Sequence, residues 1–217
     1  MGSITRSFAN NITTSGVLLP ASLVNNSIAN VTSYNAAVAT GGMVLISSQT
    51  ASNSASLSFT TGIDSTYKEY QFWFVDIHPR TDNTLLHFNG STDGGSNYNV
   101  TKTSAFFFAQ HNEAGSATFL GYDTDTDLSQ STAFQPLPRD IGNGADESCA
   151  GTLTLFNPAS TTYVKHFISS SSSYQSNDYM TTQFLGGYMN TTSAVNAIQF
   201  KMVSGNFDGT ILMYGIV

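Results

Sequence analysis

The chain has 217 residues, of which 10% are charged: seven Lys and Arg against fourteen Asp and Glu, for a net charge of -7. That balance excludes a nucleic-acid binder, which needs clustered cations to neutralise phosphate, and a basic membrane-surface helix. Ser, Thr and Asn number 29, 27 and 18, about a third of the chain. These residues favour strands, turns and loops over helix interiors, while 15 Phe and 10 Tyr supply enough apolar area for a core.

The first eight residues, Met-Gly-Ser-Ile-Thr-Arg-Ser-Phe, lack the apolar run of an export signal, and no apolar stretch exceeds about five residues, far short of a membrane span. The expectation is a protein made in a cytosol without membrane insertion. Its six Asn-x-Ser/Thr triplets, at Asn11, Asn25, Asn30, Asn89, Asn99 and Asn190, then read as unmodified polar loops. Residues 1–40 are small and polar, with no charge after Arg6, and Gly16, Pro20 and Asn25-Asn26 interrupt any helical period. They read as an extended arm. Val17, Leu18, Leu19, Leu23, Val24, Ile28, Val31 and Val38 form no complete core, so such an arm would pack on a neighbouring subunit or another protein.

From Gly41 the pattern becomes β. Met43 to Ile46 is a short apolar run, and Ala55, Leu57 and Phe59 alternate with Ser and Thr. Glu69 to His78 is the strongest strand, with Tyr70, Phe72 and Phe74 on one face and Gln71, Trp73, Val75 and Ile77 on the other. Two apolar faces predict a central strand buried on both sides, ended by Pro79. Thr84 to Phe88 and Asn99 to Ala109 flank the turn cluster at 89–96 and predict a β-hairpin, in which Asp93, Gly94 and Gly95 hold a tight structural turn with φ > 0 at one glycine. Ala117 to Gly121 is a further short strand, and 122–150 reads as loop. Strand signals resume at Thr152 to Phe156, Thr162 to Ser169, Met180 to Met189, Ala197 to Val203 and Thr210 to Ile216, with Ser169–Ser173 read as a low-complexity loop. About ten antiparallel strands and no helix of ten residues predict an all-β fold: a β-sandwich or jelly roll over 41–217, preceded by the arm at 1–40.

No catalytic or metal constellation stands out, and no cofactor is implied. Asp123, Asp125 and Asp127 alternate like the start of a calcium loop, but a glycine at 128 and a glutamate at 134 are missing; Leu128 and Phe134 stand there. A solvated acidic loop is expected instead. Ser91-x-Asp93-x-Gly95-x-x-Tyr98 resembles the Asp-box of sialidase-type propellers, itself a turn rather than a catalytic element. His78, His87, His111 and His166 show no metal-ligand spacing, though His78 and His87 flank a turn. The single cysteine, Cys149, reads as a buried structural thiol. The remaining candidates are aromatic. Phe106, Phe107 and Phe108 run consecutively, so Phe107 faces away from its neighbours, and Tyr174, Tyr179 and Tyr188 sit in or near loops. Such rings would bind sugar rings or partner proteins, or be buried at a subunit interface.

Three stretches carry a family resemblance: Thr61-Gly-Ile-Asp-Ser-Thr-Tyr-Lys-Glu-Tyr70 running into Ile77-His-Pro79; Thr92-Asp-Gly-Gly-Ser-Asn-Tyr-Asn-Val-Thr101; and Tyr214-Gly-Ile216. Over roughly 41–217 the chain resembles a family of uncharacterised virion structural proteins of tailed phages of marine bacteria, whose β domain is shared with tail-fibre-like proteins. The resemblance implies a non-enzymatic virion component, displayed as a tail-fibre or receptor-binding part. It further implies a homotrimer, attachment to other virion proteins through residues 1–40, and contact with a host surface glycan or protein. A capsid decoration protein of the same fold is the alternative. A small glycan hydrolase is a remote third reading and would need a paired Asp/Glu cleft. Glutamate occurs only at Glu69, Glu113 and Glu147, and only Glu147 has an Asp beside it, Asp146 in a loop.

Overall fold

A computed structural model describes residues 42–217; the arm read over 1–40 lies outside the described residues. The fold is all-β, with two antiparallel sheets. In chain order the strands are β1 (Met43–Ser54), β2 (Leu57–Phe59), β3 (Glu69–Pro79), β4 (Leu86–Ser91), β5 (Lys102–Asn112), β6 (Thr118–Tyr122), β7 (Gln135–Pro136), β8 (Cys149–Phe156), β9 (Lys165–Tyr174), β10 (Tyr179–Met189), β11 (Ala197–Met202) and β12 (Phe207–Ile216). Twelve strands thus replace the expected ten. One sheet has eight strands in the order β1-β12-β3-β8-β9-β10-β5-β6; the other has four, β2-β11-β4-β7.

The core lies between the sheets. Across the inner face of the large sheet, Met213, Phe72, Leu153, Ser169, Leu185 and Phe106 are in register on successive strands, and all are buried. The small sheet answers with Phe59, Phe88, Ile198 and Phe200. Phe200 packs against Phe72 and Phe74 at ring distances of 5.3 and 5.4 Å, and Phe88 meets Phe167 edge-on at 5.2 Å. Each such ring withdrawn from water contributes about 2–3 kcal/mol. The inward members are the period-two positions of each strand, as the alternation requires.

Three expectations are corrected. Trp73 and Val75 are not in a second core: they are 38% and 39% exposed on the outer face of β3. The small sheet covers one side of the large sheet only. Ile77, which alternation placed with Trp73, is buried instead, because the register shifts between Phe74 and Ile77. Asp76 in this bulge has φ of 50°, and the extra residue turns Ile77 inward. Second, β4 and β5 do not form a hairpin. They belong to different sheets, and the turn at 92–101 carries the chain from one layer to the other. Third, Ser169–Ser173 is strand, not loop. Ser169, Ser171 and Ser173 point inward and Ser170 and Ser172 outward. Ser169 Oγ donates to Thr152 O at 2.7 Å, and Gln183 Nε2 donates to Ser173 Oγ at 2.7 Å, so these two buried hydroxyls are satisfied.

Candidate binding face

The strand register gathers one set of side chains on the outer face of the eight-stranded sheet. A single cross-strand row runs Tyr122, Phe107, Phe184, Ser170, Thr152, Trp73 and Leu212, from β6 to β12. Tyr122, Phe107 and Phe184 are 54%, 46% and 39% exposed. Phe107 and Phe184 are directly paired, and their rings stack at 5.1 Å with an interplanar angle of 17°. Trp73 leans on Tyr214 at 5.4 Å and donates from Nε1 to Gln71 Oε1. In the flanking rows Leu120 and Ile168 stand well exposed. A shallow hollow of about 370 Å³ lies at the β5–β6–β10 end, lined by Ala109, His111, Leu120, Met180 and Thr182.

Of the aromatics singled out in the sequence, Phe107, Tyr174 and Tyr188 fall on this face and Tyr179 does not. Tyr179 shares the register parity of the inward Thr181 and Gln183. Tyr174 ends β9 and Tyr179 begins β10, next to the 175–178 turn as expected, whereas Tyr188 lies within β10 beside His166, the rings 6.1 Å apart. Desolvation, and then the hydrogen bonding and charge of Glu113, push the Tyr174 hydroxyl up to about 12, so it stays a neutral donor. Sequence reasoning missed Phe184, Trp73, Ile168 and Tyr122 as members of the face. The signal was the same period-two alternation that exposed Phe107, but which face lies uncovered is decided by where the second sheet sits.

The turn residues do what their types allow. Ser91 Oγ donates to Asp93 Oδ1 at 2.6 Å, Asn97 donates to both Asp93 oxygens, and the N–H groups of Asp93 and Gly95 donate to Ser91 Oγ. The Ser91 hydroxyl, then the Asn97 side chain, hold the Asp93 carboxyl down at about 2. Gly94 and Gly95 both have positive φ, 72° and 91°.

The acidic loop is not simply solvated. Asp123 is buried and paired with Arg139, whose guanidinium also meets Asp140 and lies 4.9 Å over the Phe108 ring. Asp127 accepts from Tyr122 at 2.6 Å. Among the described residues, no group of three His, Cys, Asp or Glu side chains could hold a metal ion. His78 and His87 have different surroundings. His78 Nδ1 contacts Glu147 O at 2.6 Å, whereas burial, and then the charge of Lys201, bring His87 down to about 4, with its Nε2 unpartnered among the described residues. Cys149 is buried, which pushes its thiol up, as a structural thiol requires. Asn89, read as part of a polar loop, is buried in β4.

Two buried lysines were also missed. Lys102 Nζ donates to Asn89 Oδ1 at 2.6 Å and Val100 O at 2.7 Å, and burial brings it down to about 7. Lys165 Nζ donates to the carbonyls of Tyr163 and Thr191. Period two from Phe106 and Phe108, and from Phe167, marks both as inward positions. No protein-family model, curated protein or solved structure matches the chain.

Proposed function

We propose that the chain is a non-enzymatic structural protein of a tailed-phage virion, displayed on the particle as a tail-fibre or receptor-binding component and assembled as a homotrimer. The observation that carries this reading is the outer face of the eight-stranded sheet. It is broad, rigid and lined by hydroxyls and aromatic rings rather than charges. Such a surface suits adhesion between proteins, and its backbone is held by eight hydrogen-bonded strands. The resemblance of 41–217 to virion proteins supports the same reading. Attachment to other virion proteins is assigned to residues 1–40, and the displayed end would contact a glycan or protein of the host surface.

The test is location. Antibody raised against residues 42–217 and coupled to gold should label tail fibres in electron micrographs of the purified particle. Labelling spread evenly over the head would instead make the chain a capsid decoration protein, and no labelling of any particle would defeat both readings. Deleting residues 2–40 should leave a folded β protein that no longer joins the particle, since residues 42–217 hold both sheets and a packed core between them.

A further inference from the structure

The outer sheet face differs in charge from the rest of the chain. Fourteen acidic residues outnumber seven basic ones, yet β5, β6, β8, β9 and β10 together hold two charged residues, Lys102 and Lys165, and both are buried. The nearest acids lie on the rim: Asp127 at the Tyr122 hydroxyl by edge strand β6, Glu69 and Asp76 on β3, and Glu113 and Asp178 in loops near Tyr174. An uncharged centre with an acidic rim is the anatomy of a protein–protein contact.

Its size fits a stable one. Eight strands about 4.8 Å apart, over seven residues of about 3.3 Å each, span roughly 900 Å². A standard interface buries about 800 Å² per partner. The stacked Phe107 and Phe184 cover one face of each other's ring, which takes that face away from a sugar. A sugar ring needs an open aromatic face, whereas edges and methyl groups interdigitate with apolar side chains of a facing sheet. Copies of this chain repel one another through their net charge of -7. A surface without charges lets them approach, and the outer face is such a surface.

We propose that copies of this chain meet on this face, the outer sheets of the assembly turned toward one another about its axis. The inference rests on the homotrimer part of the proposed function and names its contact surface, but it is separate from the virion location, because it is read by association state.

The test is sedimentation velocity on the full-length chain at micromolar concentration. The wild type should be an oligomer. Phe107→Glu with Phe184→Glu places acids at the centre of the face. Ser170→Glu with Ser172→Glu does the same at exposed hydroxyl positions and removes no apolar packing, so it decides the matter if the first pair fails to fold. Each folded double variant should dissociate with an affinity weaker by on the order of 100-fold or more, since like charges opposed across an interface are strongly unfavourable. A monomeric wild type overturns the proposal, and retention of that monomer on a neutral glycan would assign the face to sugar. An oligomer that the folded variants leave intact overturns it too, and places the contact elsewhere in the chain.

Discussion

Lys102 holds Asn89 across 2.6 Å in the interior, where the start of β5 in the large sheet meets β4 of the small one. The same Asn89 side chain donates to the carbonyls of Tyr98 and Thr132, so one buried amide ties the 92–101 crossing and the 131–133 loop to the lysine. Among the described residues no ion pair reaches Lys102. A buried ammonium held by neutral oxygens alone depends on each of them. Asn89→Ala should therefore cost about 3 kcal/mol or more, because it strips the strongest acceptor from a buried cation and frees two carbonyls. Lys102→Met keeps the stem volume, removes the charge, and should change stability by only ~1 kcal/mol. Urea titration of both variants checks the contrast.

The same lysine sets a pH dependence. Its folded value of about 7 lies below the ~10.4 of an unfolded lysine. Between these values the unfolded chain holds a proton that the native chain has given up, so native stability rises with pH from about 7 toward about 10. The slope approaches about 1.4 kcal/mol per pH unit. Below pH 7 both states are protonated and the gain is absent. Subtracting the stability profile of Lys102→Met from that of the wild type isolates this rise from the other titrating groups.

Trp73 and Phe72 are neighbours in sequence with opposite fates. Phe72 is fully buried and Trp73 is 38% exposed. Phe72→Ala should cost ~3–5 kcal/mol by opening a cavity. Trp73→Ala should cost only about 1–1.5 kcal/mol, the loss of its contact with Tyr214 and part of its burial. Denaturation midpoints that came out equal in the folded monomer would mean the outer face is covered within a single chain.

At the turn, the two glycines should behave differently. A side chain at Gly94 meets open space and faces only the cost of positive φ, about 1 kcal/mol for Ala. At Gly95 a Cβ would lie 2.7 Å from the Tyr98 hydroxyl oxygen and 2.8 Å from Thr60 Cγ2, so Gly95→Ala should be the more damaging, and Gly94→Val with Gly95→Val worse still. Thermal melts of the single variants give the order.

Arg139→Met should destabilise the fold by about 3 kcal/mol, since it leaves the buried Asp123 carboxylate without its cation. EDTA should leave the melting temperature unchanged, because Asp123 is engaged by Arg139 and Asp127 by Tyr122. A fall of several degrees reversed by calcium would show that the loop closes on metal through distant ligands.

Much of this protein was legible in residue order. Alternation in Tyr70, Phe72 and Phe74, in Phe106 and Phe108, and in Thr210 to Ile216 is local, and it fixes strand identity and inward sides without knowledge of the partner strand. The glycines of the 92–95 turn, the end of β3 at Pro79 and the buried Cys149 were legible for the same reason. Three things were not. Trp73 looks like core because an exposed tryptophan and a buried one carry the same local pattern; its face is open because, among the described residues, the second sheet packs on the opposite side of the large one. Ser169–Ser173 looks like linker because serine has no strand signal of its own, and its hydroxyls become tolerable inside only where Thr152 O and Gln183 come to meet them. The pairing of Phe107 with Phe184, and the uncharged face around it, joins residues 77 positions apart. Period two determines the side a residue takes on its own strand, but which strands lie side by side, and which side stays open to water, follows from long-range hydrogen bonding and layer packing that no local segment encodes.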